Sequence, residues 1–198
     1  MTVDLVSSLE SLVKATANCH DQALRDIFTS FKKISVDSIK SNKVFFFFPP
    51  KYLFLQLRPL FAATKIVEIS MVNISRIVKY WDIISEHLLD LTNNKDSSIR
   101  NFSVDSTTHM IGTALALKLP QINYNETPFA LQNSFFQFLE KLAQSPLAEI
   151  QEKSLQTMYQ ILHSSGQVCT RQYQWSKRAV ELDYGLAYRA VDAELCST

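Results

Sequence analysis

The chain has 198 residues, of which 46% are hydrophobic, and its 20 Lys and Arg nearly balance its 19 Asp and Glu, leaving a formal net charge of +1 at pH 7. The apolar content excludes a wholly disordered chain, and the balanced charge excludes the basic footprint with which proteins bind nucleic acid or an anionic membrane surface. With only three Gly and six Pro, the composition is typical of long helices rather than of a turn-rich β fold.

Two amphipathic helices are predicted at the start of the chain. In the first, Leu5, Leu9 and Leu12 lie on one face. In the second, apolar residues recur at helical spacing while the charged residues point elsewhere. We interpret residues 1–43 as a helical pair at the start of a solenoid segment. The apolar stripe of the second helix consists of Leu24, Ile27, Phe28, Phe31 and Ile34.

Residues 44–56 depart from this periodicity and read VFFFFPPKYLFLQ. The stretch is too short to span a membrane, because a span needs about 20 apolar residues and two Pro and a Lys interrupt this one. A hydrophobic binding loop is one alternative. We favour a retained short intron, because FFFFPP is the translation of a pyrimidine tract. The flanking residue pairs can also be encoded by the two ends of an intron, and removing the 13 codons keeps the reading frame.

Residues 57–167 are predicted to form HEAT-like helical repeats. Leu60 to Ile74 continues the helical pattern, and a clear amphipathic stripe with spacing 4-3-4-3 follows it and ends at Asn93 and Asn94. Trp81 lies on this stripe, so we expect a core role for it rather than a binding hot spot. The acidic residues on the opposite face are predicted to be solvated. The stripe consists of Ile77, Trp81, Ile84, Leu88 and Leu91.

The next helix is apolar on two sides, as expected of a helix that contacts both its hairpin partner and a neighbouring repeat. Asp96 or Ser97 is predicted to cap its start, and Pro120 to stop it. The layout then recurs. We expect Thr127-Pro128 and Ser145-Pro146 to start the two following helices and Gly166 to end the second of them. A cluster of aromatic residues in this second copy is predicted to be core: Phe129, Phe135, Phe136 and Phe138.

The two hairpins align with a period of 51 residues. Ile99 matches Ile150, Ser103 matches Ser154 and Val104 matches Leu155, while Gln151 stands where the first copy has Arg100. The period is longer than the ~40–47 residues of ordinary HEAT and armadillo units. The predicted fold class is therefore all-α, with HEAT/armadillo-like helical hairpins stacked as part of an α-solenoid.

No pattern in the sequence predicts chemistry. The four histidines, His20, His87, His109 and His163, are not arranged with further His, Cys or carboxylate residues in a metal-ligand pattern. The sequence holds no G-x-S-x-G, P-loop or G-x-G-x-x-G motif. Three sparse cysteines without CxxC spacing favour a reducing compartment, and no secretory signal is expected. We therefore predict no catalytic, cofactor-binding or metal-binding residue and a non-enzymatic protein.

The C-terminal residues 168–198 again lose helical periodicity. Gln167-Val168 can be encoded by a splice-donor sequence, so this tail is interpreted as read-through into a following intron. The alternative is a short natural helix around Trp175 to Asp192.

From Leu60 onward the sequence contains a specific run, Val-Asn-x-Ser-Arg-Ile, followed by Trp and then His-Leu-Leu. On this run the sequence resembles the MON-two (monensin-sensitivity) family of Golgi and endosome trafficking proteins, which are related to the large Arf guanine-nucleotide exchange factors. The resemblance covers roughly residues 20–43 and 57–167 and fails in the two odd stretches. The structural signature that it marks in this chain consists of Asn73, Arg76, Trp81, His87 and Arg100.

The resemblance implies a fragment of a scaffold in vesicle-mediated protein transport, without a catalytic exchange domain. Its implied partners are a Dopey-like scaffold and Arf-like GTPases, and its implied location is cytoplasmic, peripheral to Golgi and endosome membranes through those partners. No nucleic acid, cofactor or transmembrane segment is expected. The alternatives are a regulatory helical segment of an Arf exchange factor and a generic HEAT-repeat adaptor.

Overall fold

The computed structural model describes residues 2–41, 60–116 and 127–169, and every regular element in these ranges is helical, with no strand. The predicted all-α class is therefore confirmed. The stretch 44–56 and residues 170–198 of the tail lie outside the described residues. The helices are α1 (Thr2–Ala15), α2 (Asp21–Ser41), α3 (Phe61–Val72), α4 (Trp81–Thr92), α5 (Ser97–Ala116), α6 (Thr127–Ala143) and α7 (Ala148–Cys169), with 3-10 helices at Thr16–Asn18 and Ile74–Lys79.

The chain divides into two compact units, residues 1–117 and 118–198. In the first unit, α2 packs against α3 and α4 packs against α5, so the helices form two pairs. Helix α2 also contacts α4, and α3 contacts both α5 and α1. Each helix of one pair thus meets the corresponding helix of the next pair. The core between them is apolar and includes Leu24, Phe28, Ala63, Ile66, Ile69, Ile77, Ile84, Leu88 and Ile111.

The predicted stripe from Ile77 to Leu91 does not form one helix. Ile77 belongs to the 3-10 helix, and α4 begins only at Trp81. The backbone leaves the helical region at Arg76 (φ −123°, ψ 18°) and at Tyr80 (φ −128°, ψ −2°). Ile77 is nevertheless buried together with Ile84 and Leu88. The apolar spacing therefore correctly predicted which residues are buried, but its prediction of one continuous helix is wrong.

The turn between α4 and α5 is fixed by two polar side chains. The Asp96 carboxylate accepts hydrogen bonds from the Ser98 backbone N–H (2.8 Å) and hydroxyl (2.7 Å), and these bonds lower the pKa of Asp96. Asp96 is therefore the cap of α5, and Ser97 is its first residue. Arg100 Nη1 donates to the Asn94 and Lys95 carbonyls at 3.0 and 2.9 Å. The Arg100 side chain thus connects the interhelical turn to the first turn of α5.

In the second unit, α6 and α7 form a hairpin with the internal register of α4 and α5. Helix α4 ends at Thr92 and α6 ends at Ala143, 51 residues later. Helix α5 begins at Ser97 and α7 begins at Ala148, again 51 residues later. One buried hydrogen bond recurs at the same offset. Ser103 Oγ donates to the Leu88 carbonyl and Ser154 Oγ to the Leu139 carbonyl, each at 2.6 Å. The 51-residue alignment therefore has a structural basis.

Two predicted boundaries of α7 are wrong. The helix begins at Ala148, two residues after Ser145-Pro146, because Ser145 Oγ instead accepts from the Leu147 N–H (3.3 Å) in a local turn. Gly166 does not end the helix, which runs to Cys169. A single interior Gly weakens a helix by only about 1 kcal/mol relative to Ala, which neighbouring residues can offset.

Two residues of the N-terminal apolar stripes are exposed. Leu12 is 65% exposed and Ile34 is 50% exposed. Helix α1 packs against α3 and the adjoining 3-10 helix, so only part of its circumference is covered. In α2, Leu24 and Phe28 enter the core while Ile34 stays outside it. The apolar stripes of both helices are wider than their contacts.

Candidate functional site: a polar junction and the contact between α2 and α4

Arg76, in the 3-10 helix Ile74–Lys79, gathers the end of α1 and the start of α2. Its Nη2 donates to the Thr16 and Ala17 carbonyls at 2.9 and 3.1 Å, and its Nη1 donates to the Cys19 carbonyl at 2.8 Å. The last carbonyls of a helix lack intrahelical partners, and the planar guanidinium offers several donors in a fixed fork. Arg76 therefore provides hydrogen-bond donors for the backbone carbonyls in the turn between α1 and α2. We call Thr16, Cys19, Asp21, Asn73, Arg76, Lys79 and Tyr80 the Arg76 junction.

Asn73 supports Arg76 from within the core. Its Oδ1 accepts from Arg76 Nε (3.1 Å) and Nη2 (2.8 Å), and its Nδ2 donates to Thr16 Oγ1 (2.9 Å) and the Ile69 carbonyl (2.8 Å). The side chain is buried. Both its acceptor and its donor are used, so Asn73 positions the guanidinium and joins α1 to α3.

Asp21, the first residue of α2, closes the junction electrostatically. It accepts from Arg76 Nη1 at 3.2 Å, from the Tyr80 hydroxyl at 2.7 Å and from Lys79 Nζ. The bonds from Lys79 and Tyr80 lower the pKa of Asp21 to about 2. Burial and the bond to Asp21 raise the pKa of Tyr80 to about 12. Both shifts move away from neutrality, whereas general acid–base catalysis is favoured by pKa values near the working pH.

A second polar group of residues joins α2 to α4. Arg25 pairs with Asp82 at 3.0 Å and also donates to the Lys79 carbonyl, and Lys32 pairs with Glu86 at 2.6 Å. The acidic face of α4 was predicted to be solvated. Asp82 and Glu86 are exposed, as predicted, but each also has a cationic partner on α2. We call Arg25, Lys32, Ser35, Asp82, Glu86 and His87 the α2–α4 contact.

His87 is the buried centre of the α2–α4 contact. Its side chain is 0% exposed, and its Nε2 lies 3.1 Å from Ser35 Oγ in a hydrogen bond. Its Nδ1 has no hydrogen-bond partner among the described residues. Burial, together with the smaller effect of the Lys32 charge, lowers the pKa of His87 to about 4, although Asp90 and Glu86 act in the opposite direction. The ring is therefore neutral at pH 7.

The structure distributes the five signature residues over four places. Asn73 and Arg76 meet in the Arg76 junction, His87 lies in the α2–α4 contact, and Arg100 holds the turn before α5. Trp81 is 5% exposed at the start of α4, as expected of a core residue. Phe135, Phe136 and Phe138 are also buried, and Phe129 lies outside the described side chains.

Sequence reasoning did not find the residues that receive these contacts. Thr16, Asp21 and Ser35 lie 52 to 60 positions before their partners, and helical periodicity carries no information over that distance. One signal was available for Asp21. An acidic residue in the first turn of a helix is favoured by the helix dipole and marks a place where donors converge.

Two further observations concern only the described parts of the chain. No group of three or more His, Cys, Asp or Glu residues is placed there to hold a metal ion. None of the helices described is both long and apolar enough to cross a membrane. The absence of catalytic and cofactor-binding residues stays a prediction.

The comparisons with known proteins match about half of the chain. No protein-family model and no solved structure matches it. Over 113 residues the chain is 27% identical to the Protein MON2 homolog of Drosophila melanogaster, over 108 residues 30% identical to that of Xenopus laevis, and over 115 residues 31% identical to that of Homo sapiens. The matches cover 54–55% of this chain and 6% of each relative's length. The chain is therefore related to the MON2 homologues, and its matched part corresponds to a short segment of those much longer proteins.

Proposed function

We propose that the chain is a non-enzymatic scaffold segment in Golgi and endosome vesicle-mediated protein transport. The observation that carries the proposal is the similarity to MON2 homologues from three animals, at 27–31% identity. The resemblance in sequence supports a role in trafficking, and the hydrogen bonds between helices in the Arg76 junction and the α2–α4 contact support a structural role. The polar groups of the Arg76 junction form hydrogen bonds with one another and with backbone carbonyls, and these bonds join the helices.

The helix contacts support a solenoid architecture for this scaffold. Because α2 and α4 contact each other, as do α3 and α5, the two pairs of the first unit are arranged like successive repeats of a helical stack. The second unit supplies another hairpin with the register of α4 and α5. Units of this kind bury their apolar faces on neighbours and present extended surfaces to partners.

The partners proposed for this segment are a Dopey-like scaffold and Arf-like GTPases. Attachment to Golgi and endosome membranes would then be peripheral and would run through those proteins. The outer face of α4 carries Asp82, Glu86 and Asp90, all exposed, which suits a protein surface that works in water.

Affinity purification from cells tests the proposed partners. The full chain and a variant lacking residues 44–56 would be tagged, expressed and purified with their bound proteins. Both are expected to recover a Dopey-like protein, because the contacts described here lie outside the deleted stretch. Recovery of karyopherin cargo by both chains, in place of a Dopey-like protein, would contradict the proposal and favour a generic HEAT adaptor.

Nucleotide release tests the non-enzymatic part of the proposal. A purified Arf-like GTPase loaded with a fluorescent guanine nucleotide is expected to release it at the same rate with and without the chain. A dose-dependent acceleration of release would instead assign the chain to the exchange factors.

A further inference from the structure

The second hairpin shows what the position of His87 requires for packing. The equivalent residue, 51 positions later, is Phe138, which is also buried. The neighbouring pairs Ile84 and Phe135, Leu88 and Leu139, and Leu91 and Leu142 are buried at the same offset. An aromatic hydrocarbon ring therefore fits this core position in one hairpin. At the equivalent position of the first hairpin, the imidazole ring of His87 places two nitrogen atoms in the core.

Among the described residues, only one of the two ring nitrogens of His87 has a hydrogen-bond partner. Nε2 is bonded to Ser35 Oγ on α2, and Nδ1 has no partner among the described residues. A neutral imidazole has one N–H donor and one acceptor, whereas the protonated ring has two donors and a positive charge. Protonation in place would bury a charged N–H without an acceptor, which is strongly unfavourable.

The charges around His87 do not stabilise the protonated ring sufficiently to offset its burial. Lys32, on α2, opposes it; Glu86 and Asp90, on α4 itself, favour it, but both are exposed. Helix α5, on the other side of α4, has uncharged residues at its buried positions. The 3-10 helix before α4 contributes Arg76 and Lys79, both engaged with Asp21.

We propose that His87 is a proton-sensitive joint, which holds α2 against α4 while its ring is neutral and releases α2 when the ring takes up a proton. In the released state the ring reaches water, and the hydrogen bond to Ser35 is broken. The Arg76 junction and the buried Leu24 and Phe28 hold the first half of α2. The segment that is released is therefore the part of α2 around Lys32 and Ser35, where the surface ion pair Lys32–Glu86 is too weak to hold the contact by itself. The joint depends only on the α2–α4 contact and would operate whichever partner the chain binds.

The first test measures the linkage between protons and opening. If the pKa of His87 is about 4 in the closed contact and returns to its ordinary value on release, the opening constant rises about 20-fold between pH 7 and pH 5. Hydrogen exchange of the full chain, corrected for intrinsic rates, should show this rise at α2 amides and a much smaller rise at α5 amides. An equal rise in both helices, or none, would overturn the proposal.

Two variants separate His87 from the other histidines. His87→Phe copies the second hairpin and should abolish the pH dependence of exchange in α2. His109→Gln, at an exposed position of α5, should keep it. An NMR titration of the imidazole Cε1–H signals covers the case in which His87→Phe fails to fold. A His87 signal that titrates near its ordinary value in the folded wild-type chain would refute the joint.

Discussion

Arg76 shows how one side chain can determine the path of a long stretch of chain. Its donors reach Thr16, Ala17 and Cys19, and its position depends on Asn73. A Lys at this place would keep the charge but lose the planar fork that contacts several carbonyls at once. The geometry of Arg76, more than its charge, accounts for its structural role.

Replacing Arg76 with Lys should therefore destabilise the first unit by about 1–3 kcal/mol, because several part-buried acceptors lose their donors. Urea unfolding of the full chain measures this change. Arg25→Lys is the matched control, since Arg25 is more exposed and its ion pair with Asp82 should change stability by less than about 1 kcal/mol. Equal effects of the two substitutions would show that charge alone matters at position 76.

Asp21 should give the fold an acid-sensitive component. Its pKa is lowered from 3.8 to about 2 in the folded chain, so the unfolded chain binds the proton more readily between these values. The stabilisation is present above about pH 4 and is lost as the pH falls toward 2. Asp21→Asn should flatten the pH dependence of unfolding in this window. The control Asp37→Asn, at an exposed position of α2, should leave it unchanged. Circular dichroism between pH 2 and 5 distinguishes them.

At the scale of the element, local patterns were informative and distant ones were not. Capping by Asp96 and the burial of Trp81 followed from residues close together in sequence. The 51-residue alignment followed from comparing two such local patterns with each other. The break at Tyr80 was missed because Ile77 and Trp81 keep helical spacing across it. The receiving side of the Arg76 junction was missed because it lies on other helices. The placement of the signature residues in a functional role stays a prediction.

The recurring serine of the hairpins can be tested as a matched pair. Ser103→Ala and Ser154→Ala each remove a buried hydrogen bond to the preceding helix, and each should lower the free energy of unfolding of its own unit by about 1 kcal/mol. Ser30→Ala removes only an exposed bond within α2 and should have little effect. Fluorescence- and exchange-monitored unfolding assigns each loss to its unit. A loss for only one serine would show that the hairpins are not energetically equivalent.

Gly112 offers a stabilising substitution in α5. A Cβ at this position would meet nothing within 4 Å, and Gly in a helix interior is about 1 kcal/mol less favourable than Ala. Gly112→Ala should therefore raise the thermal midpoint of the first unit, measured by circular dichroism. A lowered midpoint would mean that an additional side chain is not tolerated on this face.

At the scale of the whole molecule, helix packing bears on the origin of residues 44–56. Helix α2 ends at Ser41 and α3, which packs against it, begins at Phe61, so 19 residues join two neighbouring helices. Without the 13 inserted residues the connection has six, within the usual range of about 2–8 for helix pairs. The insert is therefore not needed to connect α2 to α3.

Deleting residues 44–56 should leave the first unit folded and stabilise it by about 1 kcal/mol, the difference in loop-closure entropy. Urea unfolding compares the two chains, and sequencing of the transcript shows which of them is made. A deletion chain that fails to fold, or a fully spliced message that retains these codons, would reject the intron interpretation.

The Arg76 junction also has a consequence for the order of folding. The hydrogen bonds that Arg76 makes to Thr16 and Asp21 join residues 55 to 60 positions apart, whereas the serine bonds of the hairpins join residues 15 positions apart. Closing the shorter loops costs less chain entropy, so we expect both hairpins to form before α1 and α2 dock. During synthesis the situation is reversed. Helices α1 and α2 are synthesised before the residues that hold them, so Leu24 and Phe28 stay uncovered until those residues have been made.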